Sequence, residues 1–184
     1  MDLTGKIIIA MPAMGDPRFA LTVSLICAHS AQGAMGLILN KPLNDLNFSQ
    51  LLTQLNIPRA PAGRDIRVHF GGPVDRGRGY VLHSADFTTG TSTLAIPGGY
   101  GMTATLDILE AIARGEGPSE ALLALGYSGW GPGQLEAEIA RNDWLTADVS
   151  GDLVFAPDNA GKWTRALKSL GVDPVMLSAT AGRA

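Results

Sequence analysis

Cysteine is almost missing from this chain: Cys27 stands alone among 184 residues. That excludes an intramolecular disulfide framework, and without a CxxC or paired Cys/His spacing no zinc pattern forms. A reducing, cytoplasmic setting is expected. Positive charge is also scarce, with 14 Lys and Arg against 17 Asp and Glu, a net charge of −3 and a pI near 5.5. The cations are scattered without a basic run, so direct nucleic-acid binding is not expected. The apolar stretch Ile7 to Met11 is too short for a membrane span or a signal core and meets Pro12 at once. No membrane partner is expected. The chain has no internal repeat, no low-complexity segment, no G-x-G-x-x-G or Walker spacing and no G-x-S-x-G nucleophile signature. Its three histidines, His29, His69 and His83, lack metal-ligand spacing, so neither a metal nor another cofactor is expected.

What remains is a one-domain length with 46% hydrophobic residues, enough for one ordinary core. "KIIIAM" predicts a short buried strand, closed by "PAMGDP". "FALTVSLICAH" predicts a long strand with Phe19, Leu21, Val23, Leu25, Cys27 and His29 on one face, and "GAMGLILNK" its partner. "NFSQLLTQL" predicts a helix with Asn47 as N-cap and Gln50 completing a capping box. "IRVHFGGPV" and "RGYVLHS" read as two strands joined through "DRGR", and "TSTLAI" as another. Helical spacing then follows in "TATLDILEAIARG", closed by Gly115, in "GPSEALLALG" between Pro118 and Gly126, and in "GPGQLEAEIARN" from Pro132. "DWLTADV" and "DLVFA" return to strand character. Asp158 opens a last helix, and the tail from Ser178 is expected to be dispensable and flexible. Strands first and helices later predict a single α+β domain, its sheet antiparallel or mixed.

The four blocks "IIIAMPAMGDPRFALTVSLICAHSAQGAMGLILNKP", "FGGPVDRGRGYVLH", "LEAIARGEGP" and "LGYSGWGPGQLEAEIARNDWL" together resemble the bacterial YqgE/AlgH family. The resemblance covers nearly the whole chain. It implies a compact α+β domain with a bulged, largely antiparallel sheet and flanking helices. The family's association with the regulation of alginate production names a phenotype and no chemistry, and no catalytic residue comes with it. Where the family often carries a glutamate between cysteine and histidine, this chain has Ala28.

The candidate sites follow from the residues themselves. If Pro132 opens a helix, unpaired amides in its first turn could cradle an anion. Gly129 and Gly131 would then give backbone access, Trp130 a stacking wall and Gln134 an orienting amide. The simpler reading makes this a tight helix-to-helix link with Trp130 and Trp144 as core anchors. A straight helix between the two tryptophans would hold them about 15 to 20 Å apart at ~1.5 Å per residue, with Trp144 buried and Trp130 beside the glycines. Cys27 and His29, two apart on a strand, could form a thiolate–imidazole pair, or serve as a small core hydrophobe and a strand-end histidine. Asp16, Asn40 and Lys41 lie beside prolines, either as loop binding groups or as turn-stabilising side chains. Gly71-Gly72-Pro73 reads as a bulge or sharp strand exit, with Gly72 a candidate binding position. Together these features suggest a non-catalytic domain that binds a small ligand or a protein partner and has at most an indirect regulatory role. An enzyme using Cys27 and His29 is the alternative, and a direct DNA-binding regulator the third reading.

Overall fold

The apolar run at the N-terminus forms β1 (Lys6–Ala10), and its residues separate by parity. Ile7 and Ile9 enter the largest apolar cluster, while Ile8 and Ala10 enter another on the opposite face, as expected of a strand covered by protein on both sides. β1 lies antiparallel between β2 (Val23–Ser30) and β9 (Trp144–Asp148), and β2 pairs with β3 (Gly33–Ile38). The ten-residue β8 (Ala121–Trp130) joins the two halves of the sheet. Its last three residues pair with β3, and its first half pairs with β5 (Val74–Ser84) on one edge and, in parallel, with β4 (Val68–Phe70) on the other. β7 (Tyr100–Thr103) and β6 (Thr93–Ile96) complete a curled sheet in the order β6-β7-β5-β8-β3-β2-β1-β9. The computed structural model describes residues 1–177, so the expectation for the tail from Ser178 lies outside the described residues.

Four α-helices among the described residues cover this sheet. α1 (Phe48–Gln54) and α2 (Leu106–Ala113) pack Phe48, Leu52, Ile108 and Ile112 against Val81 and Leu123. α4 (Asn159–Ser169) inserts Ala166 and Leu167 into the main cluster, and α3 (Gln134–Ala140) packs Leu135 with Ile8, Ile26, Trp130 and Trp144. Each fully buried aliphatic side chain contributes about 1.5–3 kcal/mol relative to its exposed state. The expected caps form: the Asn47 side chain accepts from the Gln50 amide and the Gln50 side chain from the Asn47 amide, both at 2.9 Å, and Asp158 accepts from the Gly161 amide at 2.9 Å.

The α+β domain with a bulged, largely antiparallel sheet is as expected, but strands and helices interleave along the chain. "GPSEALLALG" is not a helix: Ala121 onward is β8, with Leu122 and Ala124 facing the main cluster and Leu123 facing the α1/α2 cluster. A short run apolar on every side fits a doubly buried strand as well as a helix. β7 was not anticipated. "DRGR" lies within β5, across a register shift between Val74 and Gly79, and "DLVFA" forms turns that bury Leu153 and Val154. β2 starts only at Val23, because Leu21 turns the chain with a φ of 56°.

Candidate functional site

The glycine- and tryptophan-rich stretch is a strand-to-helix corner. Trp130 ends β8, and α3 begins at Gln134, two residues beyond Pro132, with Gly133 as a left-handed N-cap. The corner folds the tryptophans together, so the expected wide separation is wrong: their rings meet edge-on with centroids 6.1 Å apart, and Phe19 sits 5.7 Å from Trp144. Trp144 is 2% exposed and Trp130 7%, so both are packed as core anchors, with Trp130 beside Gly129 where two cavities meet it. Glu138 holds the corner. Its Oε2 accepts from both indole N–H groups at 2.9 Å, and its Oε1 accepts from the Gln134 amide, also at 2.9 Å. Gln134 Oε1 in turn accepts from the Gly131 backbone N–H at 3.0 Å.

A cavity of about 340 Å³ is lined here by Asp16, Gly129, Trp130 and Gln134, four of the positions singled out in sequence, together with Arg18 and Glu138. Its polar groups are already paired. Asp16 and Arg18 bind each other, with Nη2 2.6 Å from Oδ2, and this pairing holds the Asp16 carboxyl below its usual range. Lys41 donates to the Arg18 carbonyl at 2.6 Å, and Asn40 bridges the Val23 amide and the Leu21 carbonyl at 2.9 Å each. Asp16, Asn40 and Lys41 therefore fasten the 16–22 turn onto the end of β3. Gly72 lies where the chain passing from β4 to β5 crosses β8, and a Cβ there would overlap the Tyr127 backbone. Close packing accounts for that glycine.

Cys27 and His29 do not meet. The ladder shifts register between Ile26 and Ala28, and this bulge breaks the strict alternation. Cys27 joins Leu25 in the main core, where burial pushes its thiol up to about 12. His29 instead accepts from the Leu3 amide at Nδ1 (3.1 Å) and donates from Nε2 to Glu136 of α3 (2.8 Å). That geometry provides no thiolate and no base beside it. His69 faces Asn159, and His83 lies between the Ser84 carbonyl and the Thr103 hydroxyl, its pKa lowered by burial. Among the described residues no three His, Cys, Asp or Glu side chains gather where they could hold a metal ion.

A wider concavity, about 770 Å³, opens beside the corner on the face of the main core. Ala28, His29, Gly129 and Trp130 form part of its rim. Met35, Leu94 and Met102 supply apolar walls, Tyr80 and Tyr127 meet edge-on at 5.7 Å, and the Arg78 guanidinium lies 5.4 Å over the Tyr80 ring. Arg78 takes part in no ion pair among the described residues. The smaller cavity has spent its polar groups on the fold, whereas this cleft leaves a cation available beside two aromatic rings. Sequence inspection missed Arg78, Tyr80, Tyr127 and Glu138. The alternation of Arg78 and Tyr80 along one strand was the only local signal.

Fold and site define a single-domain α+β protein with a curled sheet and an open aromatic cleft. The chain belongs to the AlgH-like family, DUF179, whose model matches residues 7–175. It is 64% identical over 184 residues to a UPF0301 protein of Cereibacter sphaeroides and 58% identical over 185 residues to one of Ruegeria pomeroyi, each alignment covering 100% of both chains. The solution structure of the AlgH protein from Pseudomonas aeruginosa is similar at a TM-score of 0.80 and 41% identity, covering 100% of this chain and 97% of that one. The crystal structure of protein DIP2367 from Corynebacterium diphtheriae shares the fold, with a TM-score of 0.72 at 22% identity over 92% of this chain and 87% of that one. No helix among the described residues is long and apolar enough to cross a membrane.

Proposed function

We propose that this chain is a non-catalytic binding domain of the cytoplasm that takes a small ligand with a flat apolar body and an anionic group. The cleft of about 770 Å³ carries this reading, because it joins apolar walls and two tyrosine rings to an arginine without a carboxylate partner among the described residues. Ligand sites commonly combine a largely apolar concavity with a few placed polar groups. Arginine also matches planar oxyanions through two parallel donors. Cys27 supports no enzyme reading, since its thiol is buried, raised in pKa and turned away from His29. Any regulatory role would be indirect, by way of a ligand or a partner, given the net charge of −3.

The test uses the aromatic sulfonate 8-anilinonaphthalene-1-sulfonate as probe. We expect saturable fluorescence enhancement by the folded protein and an approximately tenfold weaker Kd for Arg78→Ala, at the lower end of what a hydrogen bond to a charged group contributes. Equal affinity of the wild type and Arg78→Ala, with the fold intact, would overturn the assignment.

A further inference from the structure

A third cavity, of about 180 Å³, lies between β4, the start of β8 and the first turn of α4, lined by Arg67, His69, Asn159 and Lys162 among others. It shares no lining residue with the aromatic cleft. Its size is below the ~300 Å³ at which pockets for drug-sized ligands begin. Lys162 is 1% exposed, and its Nζ donates to the Leu39 and Val154 carbonyls at 3.2 and 3.1 Å. No carboxylate pairs with this ammonium among the described residues. The nearby acids are committed elsewhere: Asp158 caps α4, Asp65, which also lines the cavity, pairs with Arg59 at 3.1 Å, and Asp152 pairs with Arg165 at 3.1 Å. Burying a lone cation is costly, and proteins usually offset it with an opposite charge.

His69 adds an independent observation. It is 3% exposed, and its Nδ1 makes no hydrogen bond of ordinary geometry. Asn159 is best satisfied with its amide nitrogen donating to the Leu39 carbonyl and its oxygen accepting from Arg67 Nη1, each at 3.2 Å. That orientation also turns the nitrogen toward His69 Nε2, 3.3 Å away. Nε2 then accepts, the imidazole proton sits on Nδ1, and this buried donor finds only the Arg67 backbone nearby, with no hydrogen bond of ordinary geometry. Such a group costs about 1–3 kcal/mol unless something accepts from it. A guanidinium, an ammonium and an imidazole N–H thus line one small cavity, and all three are donors.

We infer that this cavity binds a small phosphate-bearing anion, its oxygens accepting from Arg67, His69 and Lys162. Burial and the neighbouring Arg165 and Arg67 push the Lys162 ammonium down to about 8, and burial lowers the His69 pKa. A dianion in the cavity would reverse both effects. The phosphoryl group could come from free phosphate or from a phosphorylated metabolite.

The test titrates the full chain with inorganic phosphate at constant ionic strength, with chloride as control, and follows the His69 ring nitrogens by NMR. We expect a saturable shift at Nδ1 that chloride does not reproduce. Lys162→Met and Arg67→Ala should each weaken phosphate binding at least ~10-fold, the consequence of losing one charge-assisted hydrogen bond. Arg67 is exposed, so its variant decides the matter should Lys162→Met fail to fold. Tighter binding of glycerol 3-phosphate than of phosphate would assign the site to a phosphorylated metabolite, and equal or weaker binding to the free ion. The inference is overturned if chloride gives the same shifts, if neither variant changes the affinity, or if the phosphate shifts map to Arg78. Arg78→Ala should leave the phosphate titration unchanged, so this site and the aromatic cleft stand or fall separately.

Discussion

Lys162 is the residue at which burial and charge conflict most strongly. Its folded pKa, about 8, lies below the ordinary 10.5 because burial disfavours the ammonium. Between those values the unfolded chain binds the proton that the folded chain has released, so this residue makes stability rise with pH across that window; below it the full cost of the buried charge is present. We expect denaturant titrations to show the wild type gaining on the order of 3 kcal/mol relative to Lys162→Met from about pH 8 to about pH 10.5, the opposing contribution of the raised Cys27 thiol being common to both proteins. Identical slopes for the two proteins would show that the ammonium is not buried in solution. Cys27 gives a complementary expectation. With its thiol pushed up to about 12 inside the core, alkylation of the native protein should proceed only as fast as the structure opens. Rapid labelling under native conditions would contradict the bulged β2.

At the scale of elements, the β8–α3 corner depends on Glu138. Replacing Glu138 with alanine leaves two indole N–H groups without their acceptor, at about 1–3 kcal/mol for each that stays dry, so urea denaturation should show a loss of at least ~2 kcal/mol. Trp130→Ala and Trp144→Ala should each cost about 3–5 kcal/mol by the large-to-small core rule. A mild effect at Trp130 alone would return that residue to the surface. How far the fold could be read from sequence depended on this scale. β1, β2 and β3 followed from apolar runs and alternation, α1 from its capping box, and α4 from Asp158. β8 did not, because "ALLALG" is apolar at every position and periodicity cannot separate a buried strand from a helix. The β2 bulge was equally hidden: one extra residue reverses parity, so Cys27 and His29 fell on one face in the sequence reading and part company in the structure. Glu138 could not be found either, since its three donors converge only once strand and helix have folded back on each other.

Across the whole molecule, the charge balance bears on nucleic acid as a partner. At a net charge of −3 with no basic run, the protein should show no sequence-selective, salt-sensitive complex with duplex DNA near physiological salt, as gel-shift or anisotropy titrations would report. A submicromolar specific complex would contradict this. The family was legible in four ordered blocks, and the family model covers the same ground. The cleft was not, because Met35, Arg78, Met102 and Tyr127 come from four strands that only the curled sheet brings together. Its role is tested most directly by backbone NMR of the full chain titrated with the anilinonaphthalene sulfonate. The perturbed amides should cluster around Met35, Arg78, Tyr80, Met102 and Tyr127, and Arg78→Ala should abolish the pattern while the dispersed spectrum remains. Perturbations centred on Asp16, Gln134 and Glu138 instead, or a pattern indifferent to Arg78, would contradict binding in the cleft.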